Sequence, residues 1–195
     1  MSKRLFVKKF ITANKETWAI CPSSKYLAKK MVKKEDIINN DIIIEFWAWT
    51  WIFTKYIFEY AKNNLKNKKI FIIEKDIDFY NLLLKKFPDY KRFIYNIDVL
   101  DIEKLLNKYN IKKIDLLISW LPFKSLPFEI FNYLTKKFFP KFFDKNTKFV
   151  QFSYFQSFLK NIDKYFDNVD CNKCMLNFPI AYVFECTNIK KNENK

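Results

Sequence analysis

The sequence predicts an α/β fold in which a mainly parallel sheet alternates with helices. Three observations predict it. Short apolar runs rich in Ile and Phe recur along the chain, each followed by a stretch of mixed polarity long enough for a helix. Half of the 195 residues are apolar and 20% are aromatic, enough to bury a sheet on both faces. No internal repeat or Pro- and Ser-rich linker divides the chain, so its length fits one domain.

The elements follow in order. Pro22 and then Ser23 or Ser24 as N-cap predict a helix over 25–34, with Tyr26, Leu27, Met31 and Val32 among its apolar members. Ahead of it, Leu5, Phe6, Phe10 and Ile11 share one side of a short basic helix. That helix suits either a membrane interface or its own domain. Strands are expected at 41–46, 69–74, 92–95, 113–118 and 148–152. Helices are expected at 52–65, 76–87, 101–109, 127–138 and 155–165. Two terminal strands, 169–176 and 181–186, close the pattern. The N-terminal helices (1–34) precede a main domain at 35–189, and a polar tail, 190–195, ends the chain. In such sheets, ligands bind beyond the carboxyl ends of the strands, at the switch point of the strand order.

Composition limits the chemistry. There is no histidine, which excludes His triads, His metal sites and His proton shuttles. There is no glycine either, where average usage predicts about 14. Taken literally, that absence argues against every phosphate- or cofactor-binding loop that depends on glycine. Of the four cysteines (Cys21, Cys171, Cys174, Cys186), Cys171 and Cys174 have CxxC spacing. No second pair completes a zinc set, so both read as strand residues and no metal is expected. With no signal-peptide core and no apolar run of about 20 residues, a cytoplasmic location is expected. Lys+Arg 36 against Asp+Glu 21 leaves +15, almost all of it lysine, which attracts nucleic acid or an acidic lipid surface alike. Part of this bias follows from residues whose codons can be written in A and T.

The strand ends carry the informative residues. The first runs Glu45-Phe46-Trp47-Ala48-Trp49-Thr50-Trp51, and the second ends at Glu74. The third is followed by Asn96-Ile97-Asp98-Val99, and the fourth ends Ser119-Trp120-Leu121-Pro122-Phe123. Over most of the chain this resembles the class I S-adenosylmethionine (SAM)-dependent methyltransferases. The resemblance implies a Rossmann-like three-layer sandwich preceded by N-terminal helices. Its seven-stranded sheet would be mainly parallel, with an antiparallel terminal hairpin. It implies SAM as cofactor, with Glu45 orienting the first loop or facing the methionine amine. Residues 47, 48, 49 and 51 would pass beneath methionine and ribose, and Glu74 would accept the ribose hydroxyls. Asp98 would accept from the adenine amino group between Ile97 and Val99, and Ser119 would close the site.

The departure is that Trp47, Trp49 and Trp51 stand where that family has glycine. Residues 14–31, N-K-E-T-W-A-I-C-P-S-S-K-Y-L-A-K-K-M, resemble the amino-terminal segment of bacterial phospholipid N-methyltransferase-like proteins, with Trp18 on a usual glycine. The fourth-strand motif resembles their S-G-L-P-F, with Trp120 on the glycine. All five tryptophans thus fall on family glycines in a chain without glycine. The expectation is that these codons are UGA, which the organism reads as glycine.

Ser119, Leu121, Pro122 and Phe123 form the expected catalytic loop. Related rRNA adenine dimethylases carry Asn-x-Pro-Tyr/Phe there, and a serine hydroxyl cannot reproduce the grip of an asparagine amide. The resemblance therefore implies methyl transfer to a phospholipid headgroup amine of the phosphatidylethanolamine type, with the protein peripheral on an anionic inner membrane face. RNA adenine N6-methylation is the rival, with RNA as partner. A non-enzymatic lipid- or RNA-binding relic is the reading if the tryptophans are genuine. Tyr26, Phe123, Phe152 and Tyr154 could bind the substrate by holding a methylated cation against their rings, or could simply be core and pocket wall.

Overall fold

The structure is a computed structural model that describes residues 24–123 and 125–190. The N-terminal segment with Leu5, Phe6, Phe10, Ile11, Trp18 and Cys21, and the tail from 191, lie outside the described residues. The chain runs α1 (Lys25–Met31), α2 (Lys34–Asn39), β1 (Ile42–Phe46), α3 (Ile52–Ala61), β2 (Lys69–Ile73), α4 (Ile77–Lys86), β3 (Ile94–Tyr95), α5 (Ile102–Lys108) and β4 (Leu116–Ser119). It continues through α6 (Phe128–Tyr133), α7 (Phe139–Phe142), β5 (Lys148–Ser153), α8 (Leu159–Ile162), β6 (Phe166–Cys174) and β7 (Ala181–Ile189).

The strands form one seven-stranded sheet in the order β3-β2-β1-β4-β5-β7-β6. β1 to β5 are parallel, whereas β7 runs antiparallel to β5 and pairs with β6 as a hairpin. Side chains alternate across the sheet, giving a core on each face. Ile43, Ile72, Ile118 and Val150 pack beneath α1 to α4, whose Leu27, Ile37, Phe53 and Leu83 meet them. Ile44, Phe71, Leu117 and Phe149 pack on the other face with Ile102, Leu106, Phe139 and Ile162 of α5, α7 and α8. The strand order reverses between β1 and β4, and their carboxyl ends open the crevice where a ligand of this fold class binds.

Several boundaries differ from expectation for identifiable reasons. The helix over 25–34 is two helices. The Ser24 hydroxyl caps α1 by accepting from the Leu27 amide at 3.1 Å, but Val32 and Lys33 are extended. α2 then starts afresh, with Glu35 and Asp36 in its first turn, where the helix dipole favours acids. The 52–65 helix tightens into a 3-10 turn over Lys62–Asn67, a segment whose asparagines compete for backbone groups. β3 shrinks to two residues because Pro88 opens a 3-10 turn, Pro88–Phe93, ahead of it. The 127–138 helix passes into a π segment, Leu134–Phe138, and on into α7. Pro140 has no amide to donate to residue 136, so the ladder shifts by one. The 155–165 helix is only a 3-10 turn and α8. β6 begins earlier than expected because an edge strand with one wet face carries little hydropathy signal. Among the described residues no helix is long and apolar enough to cross a membrane.

Candidate functional site at the β1–β4 crevice

The loop from β1 into α3 crosses the switch point. It is tied back by the Trp47 amide, which donates to the Ile73 carbonyl at 2.9 Å, and by the Trp51 amide, which donates to Ala48 at 2.9 Å. Two of its residues hold left-handed backbone, Trp47 with φ 62° and Trp51 with φ 52°. That conformation forces a Cβ against the following carbonyl, costs about 1–2 kcal/mol for a side-chain-bearing residue and is free for glycine. Ala48 is buried beneath the loop. The three indoles of the loop pack half-buried against the core beneath α1 to α4, and the Trp120 indole is buried within it. Trp49 stands edge-on to Phe79 (5.6 Å) and to Trp120 (6.0 Å), so the β1 and β4 loops meet through two indoles. The Trp120 Nε1 is buried without a hydrogen-bond partner, a costly way to place an indole. The Trp51 ring lies under the Lys86 ammonium at 4.1 Å.

The three strand-end acids lie around this loop in different states. Glu45 is buried on the α3 side, where its Oε2 accepts from the Thr54 hydroxyl at 2.7 Å. It therefore braces the loop by joining β1 to α3. Burial raises its pKa from 4.5 to about 8, against the pull of Thr54. Glu74 is 1% exposed just beyond β2, and its Oε1 accepts from the Asp76 amide at 2.8 Å. Its Oε2 is buried with no partner. Burial again dominates and pushes its pKa to about 8. A buried carboxyl oxygen without a partner is costly, which marks this edge as a place for a polar ligand. Asp98 is occupied: one oxygen accepts from Lys75 Nζ at 2.5 Å and the other from the Leu100 amide at 3.1 Å. Ile97 and Val99 pack behind it into the second core.

The β4 exit is held from below. Ser119 is fully buried, and its hydroxyl oxygen accepts from the Leu121 amide at 3.1 Å, which shapes the turn. Pro122 continues that turn, its carbonyl accepting from the Ser125 amide at 2.8 Å. Gln151 of β5 donates through Nε2 to the carbonyls of Leu121 (3.0 Å) and Phe152 (2.7 Å), while its Oε1 is buried without a partner. Asn96 likewise donates to the Glu74 and Lys75 carbonyls, each at 3.0 Å, and pins the β2 exit to the β3 exit. Sequence reading missed the roles of Gln151, Asn96 and Thr54. The available signal for Gln151 was a polar residue inside the apolar run Lys148–Ser153.

The four aromatic substrate candidates do not form one cage. Phe152 lies edge-on to Trp120 at 4.6 Å, and the Tyr154 ring follows at 5.4 Å from Phe152. Phe123 is on the opposite face, packed among Phe131, Phe139, Phe149 and Phe158. Tyr26 is half-exposed on α1 with the Lys25 ammonium over its ring. Cys171 and Cys174 pair with Phe184 and Ala181 across the hairpin and face opposite sides of the sheet.

No family model matches the chain. Over 127 residues it is 29% identical to the ornithine lipid N-methyltransferase of Singulisphaera acidiphila, a match spanning 65% of this chain and 65% of that protein. The match thus spans just under two thirds of that relative's length. Among solved structures, a methyltransferase from Geobacter sulfurreducens superposes with TM-score 0.56 at 8% identity, covering 96% of this chain and 91% of the other. The Podospora anserina methyltransferase in its S-adenosylhomocysteine-bound form gives 0.55 at 10% identity, over 85% and 78%. This chain has the class I methyltransferase fold. In that frame the backbone of the β1 loop, the vacant acceptor of Glu74 and the braced β4 turn fit an adenosyl cofactor. The indoles at 49 and 120, edge-on to each other between the β1 and β4 loops, are the part of the site that does not fit it, since they add bulk where that cofactor needs close backbone approach.

Proposed function

We propose that the protein is a SAM-dependent methyltransferase acting on the amine of a lipid headgroup. We propose further that positions 18, 47, 49, 51 and 120 are glycine in the native chain, encoded by UGA. The observation that carries this reading is the left-handed backbone at Trp47 and Trp51, a conformation that favours glycine, where the written residue is the bulkiest available. The relative's action on an ornithine lipid and the Ser119-x-Leu-Pro-Phe motif support a lipid amine as acceptor.

With glycine at these positions the crevice opens between β1 and β4. The open crevice relieves the burial that keeps Glu74 protonated, and its Oε2, once ionised, would have lone pairs to accept from the ribose hydroxyls. Asp98 keeps lone pairs for the adenine amino group beside its contact with Lys75. Glu45 and Thr54 hold the loop against α3. The bound cofactor supplies an electrophilic methyl group, so the chain's own task is alignment and exclusion of water. The Leu121 carbonyl, fixed by Gln151, retains a lone pair for an amine N–H, and the Ser119 hydroxyl keeps its proton to donate. Phe152 and Tyr154 lie beside that turn and offer ring faces to a methylated ammonium. The headgroup ammonium would lose a proton to water before its nitrogen takes the methyl group, and the methylated ammonium would lose the next one the same way, so a chain without histidine suffices.

The gene should carry TGA at all five positions, and mass spectrometry of the native peptide spanning 41–55 should read glycine at 47, 49 and 51. The glycine-encoded full chain should bind SAM in calorimetry and transfer labelled methyl to phosphatidylethanolamine or ornithine lipid vesicles. The tryptophan-bearing chain should do neither. Label appearing only in RNA would overturn the lipid acceptor, and absence of SAM binding in the glycine chain would overturn the enzyme.

A further inference from the structure

The β6–β7 connection, residues 175–180, has an inverted polarity. Loop tips ordinarily turn polar groups to water. Here the polar member, Asn177, is turned inward: its Oδ1 accepts from the Ser24 amide at 3.0 Å, and its Nδ2 donates to the Pro179 carbonyl at 2.8 Å. The apolar members point out, Phe178 being 83% exposed, Met175 71%, Leu176 67% and Ile180 40%. Asn177 joins the tip to the start of α1, so it is held in place.

The same edge of the molecule gathers most of the other exposed apolar side chains. Phe128 opens α6 just after the β4 turn and Phe155 follows β5, at 78% and 57% exposure. Ile77 opens α4 after β2, and Tyr26 stands in the first turn of α1. All of these positions follow the carboxyl ends of the parallel strands or adjoin the hairpin tip. The tip is also collared by charge of one sign. Lys25, Lys29, Lys30 and Lys173 are exposed around it, and Lys30 Nζ donates to the Lys173 carbonyl at 3.1 Å. The sequence holds no Asp or Glu between Asp170 and Glu185, nor anywhere from 24 to 34.

We propose that the β6–β7 tip is a membrane-docking element that inserts its apolar side chains into an anionic bilayer while the lysine collar meets the headgroups. The inference rests on the lipid-methyltransferase reading and says how that enzyme meets its substrate. β7 begins at the tip and pairs Val183 with Phe152 and Tyr182 with Ser153, so a headgroup at the docked surface lies beside the β5 exit and its aromatic side chains. The tip itself, apolar side chains set in lysines with no Asp or Glu in either of its two segments, complements a negatively charged lipid surface better than a protein partner. RNA would use the lysines and could stack a base on Phe178, but it would leave Met175, Leu176 and Ile180 in water, whereas a bilayer buries all four.

The test is co-sedimentation of the full chain with vesicles of phosphatidylglycerol and phosphatidylcholine, scored for binding and not for methyl transfer. The double variant Leu176→Asp with Phe178→Asp should lose binding at least tenfold, at an unchanged melting temperature. Leu176→Ser with Phe178→Ser is the gentler version should the first fail to fold. Ile38→Asp, an exposed apolar position on the opposite edge, should bind as the parent does. Pure phosphatidylcholine vesicles should capture far less protein. Equal sedimentation of the tip variants and the parent would overturn the proposal. So would an equal loss from Ile38→Asp, or tip variants that lose RNA binding and keep vesicle binding. Vesicle binding that depends on the tip, with no methyl transfer to lipid, would leave docking intact and overturn only the enzymatic reading.

Discussion

At the scale of single residues, Glu74 and Gln151 decide what the crevice can do. Glu74→Gln keeps an oxygen for the Asp76 amide but turns the vacant acceptor into an N–H₂ group, which cannot accept from ribose hydroxyls. In the glycine-bearing chain it should weaken SAM about 10- to 100-fold in calorimetry, the loss of one or two hydrogen bonds to a charged group. Gln151 acts through the loop it holds. Gln151→Leu fills the same space but releases the carbonyls of Leu121 and Phe152. Methyl transfer should fall severalfold in kcat while the calorimetric affinity for SAM stays at the parent value. An equal loss of both would assign Gln151 to general folding. The strand-end acids were legible in the sequence because they follow apolar runs at the edge where such sheets bind ligands. Gln151 and Asn96 were not, because what they hold is backbone, 30 and 22 residues away in the case of Leu121 and Glu74. Hydropathy carries no trace of a side-chain bond to a distant carbonyl.

At the scale of elements, the alternation of apolar runs located every strand and the order of helices, but not where helices change type. The π segment Leu134–Phe138 was invisible because its residues are good helix formers and its cause, Pro140, lies beyond it. The start of α2 was missed because Lys33 provides no side-chain cap, so no capping residue marks it. What fixes α2 in place is ionic. Lys148, at the start of β5, reaches Asp36 on α2 at 2.7 Å and Glu185 on β7 at 2.6 Å, and Lys33 meets Glu185 from the other side. Both Lys148 and Glu185 are largely buried, so a missing partner leaves a charge with poor solvation. Lys148→Met should lower unfolding free energy by about 2–4 kcal/mol in urea titration, and removing Asp36 in the same background should recover part of it. Additive losses from the two changes would show that they do not act on one network.

At the scale of the whole molecule, the pH dependence of stability follows from two sets of carboxyl groups working in opposite directions. Burial raises Glu45 and Glu74 from 4.5 to about 8 in the folded chain. Between those values the folded state holds protons that the unfolded state has released, so unfolding releases protons and stability declines as pH rises. This contribution is fully present below about pH 4.5 and gone above about pH 8. Glu185 behaves oppositely. Burial pushes it up, but Lys148 and Lys33 outweigh burial and hold it below its usual range. Its contribution is present at neutral pH and fades as acid protonates it. Asp144 is lowered too, by its bond to Lys113 above all. Acid also strips negative charge from a chain already at +15 and adds self-repulsion. In the tryptophan-bearing chain the two trends cross near pH 4.5, so the melting temperature should peak at about pH 4–5 and fall by about ten degrees or more towards pH 8. Glu45→Gln keeps an acceptor for the Thr54 hydroxyl and cannot ionise. Combined with Glu74→Gln, it should flatten the alkaline side of the profile and move the peak to pH 7 or above. A double variant that still loses stability between pH 6 and 8 would place the titrating group elsewhere in the fold.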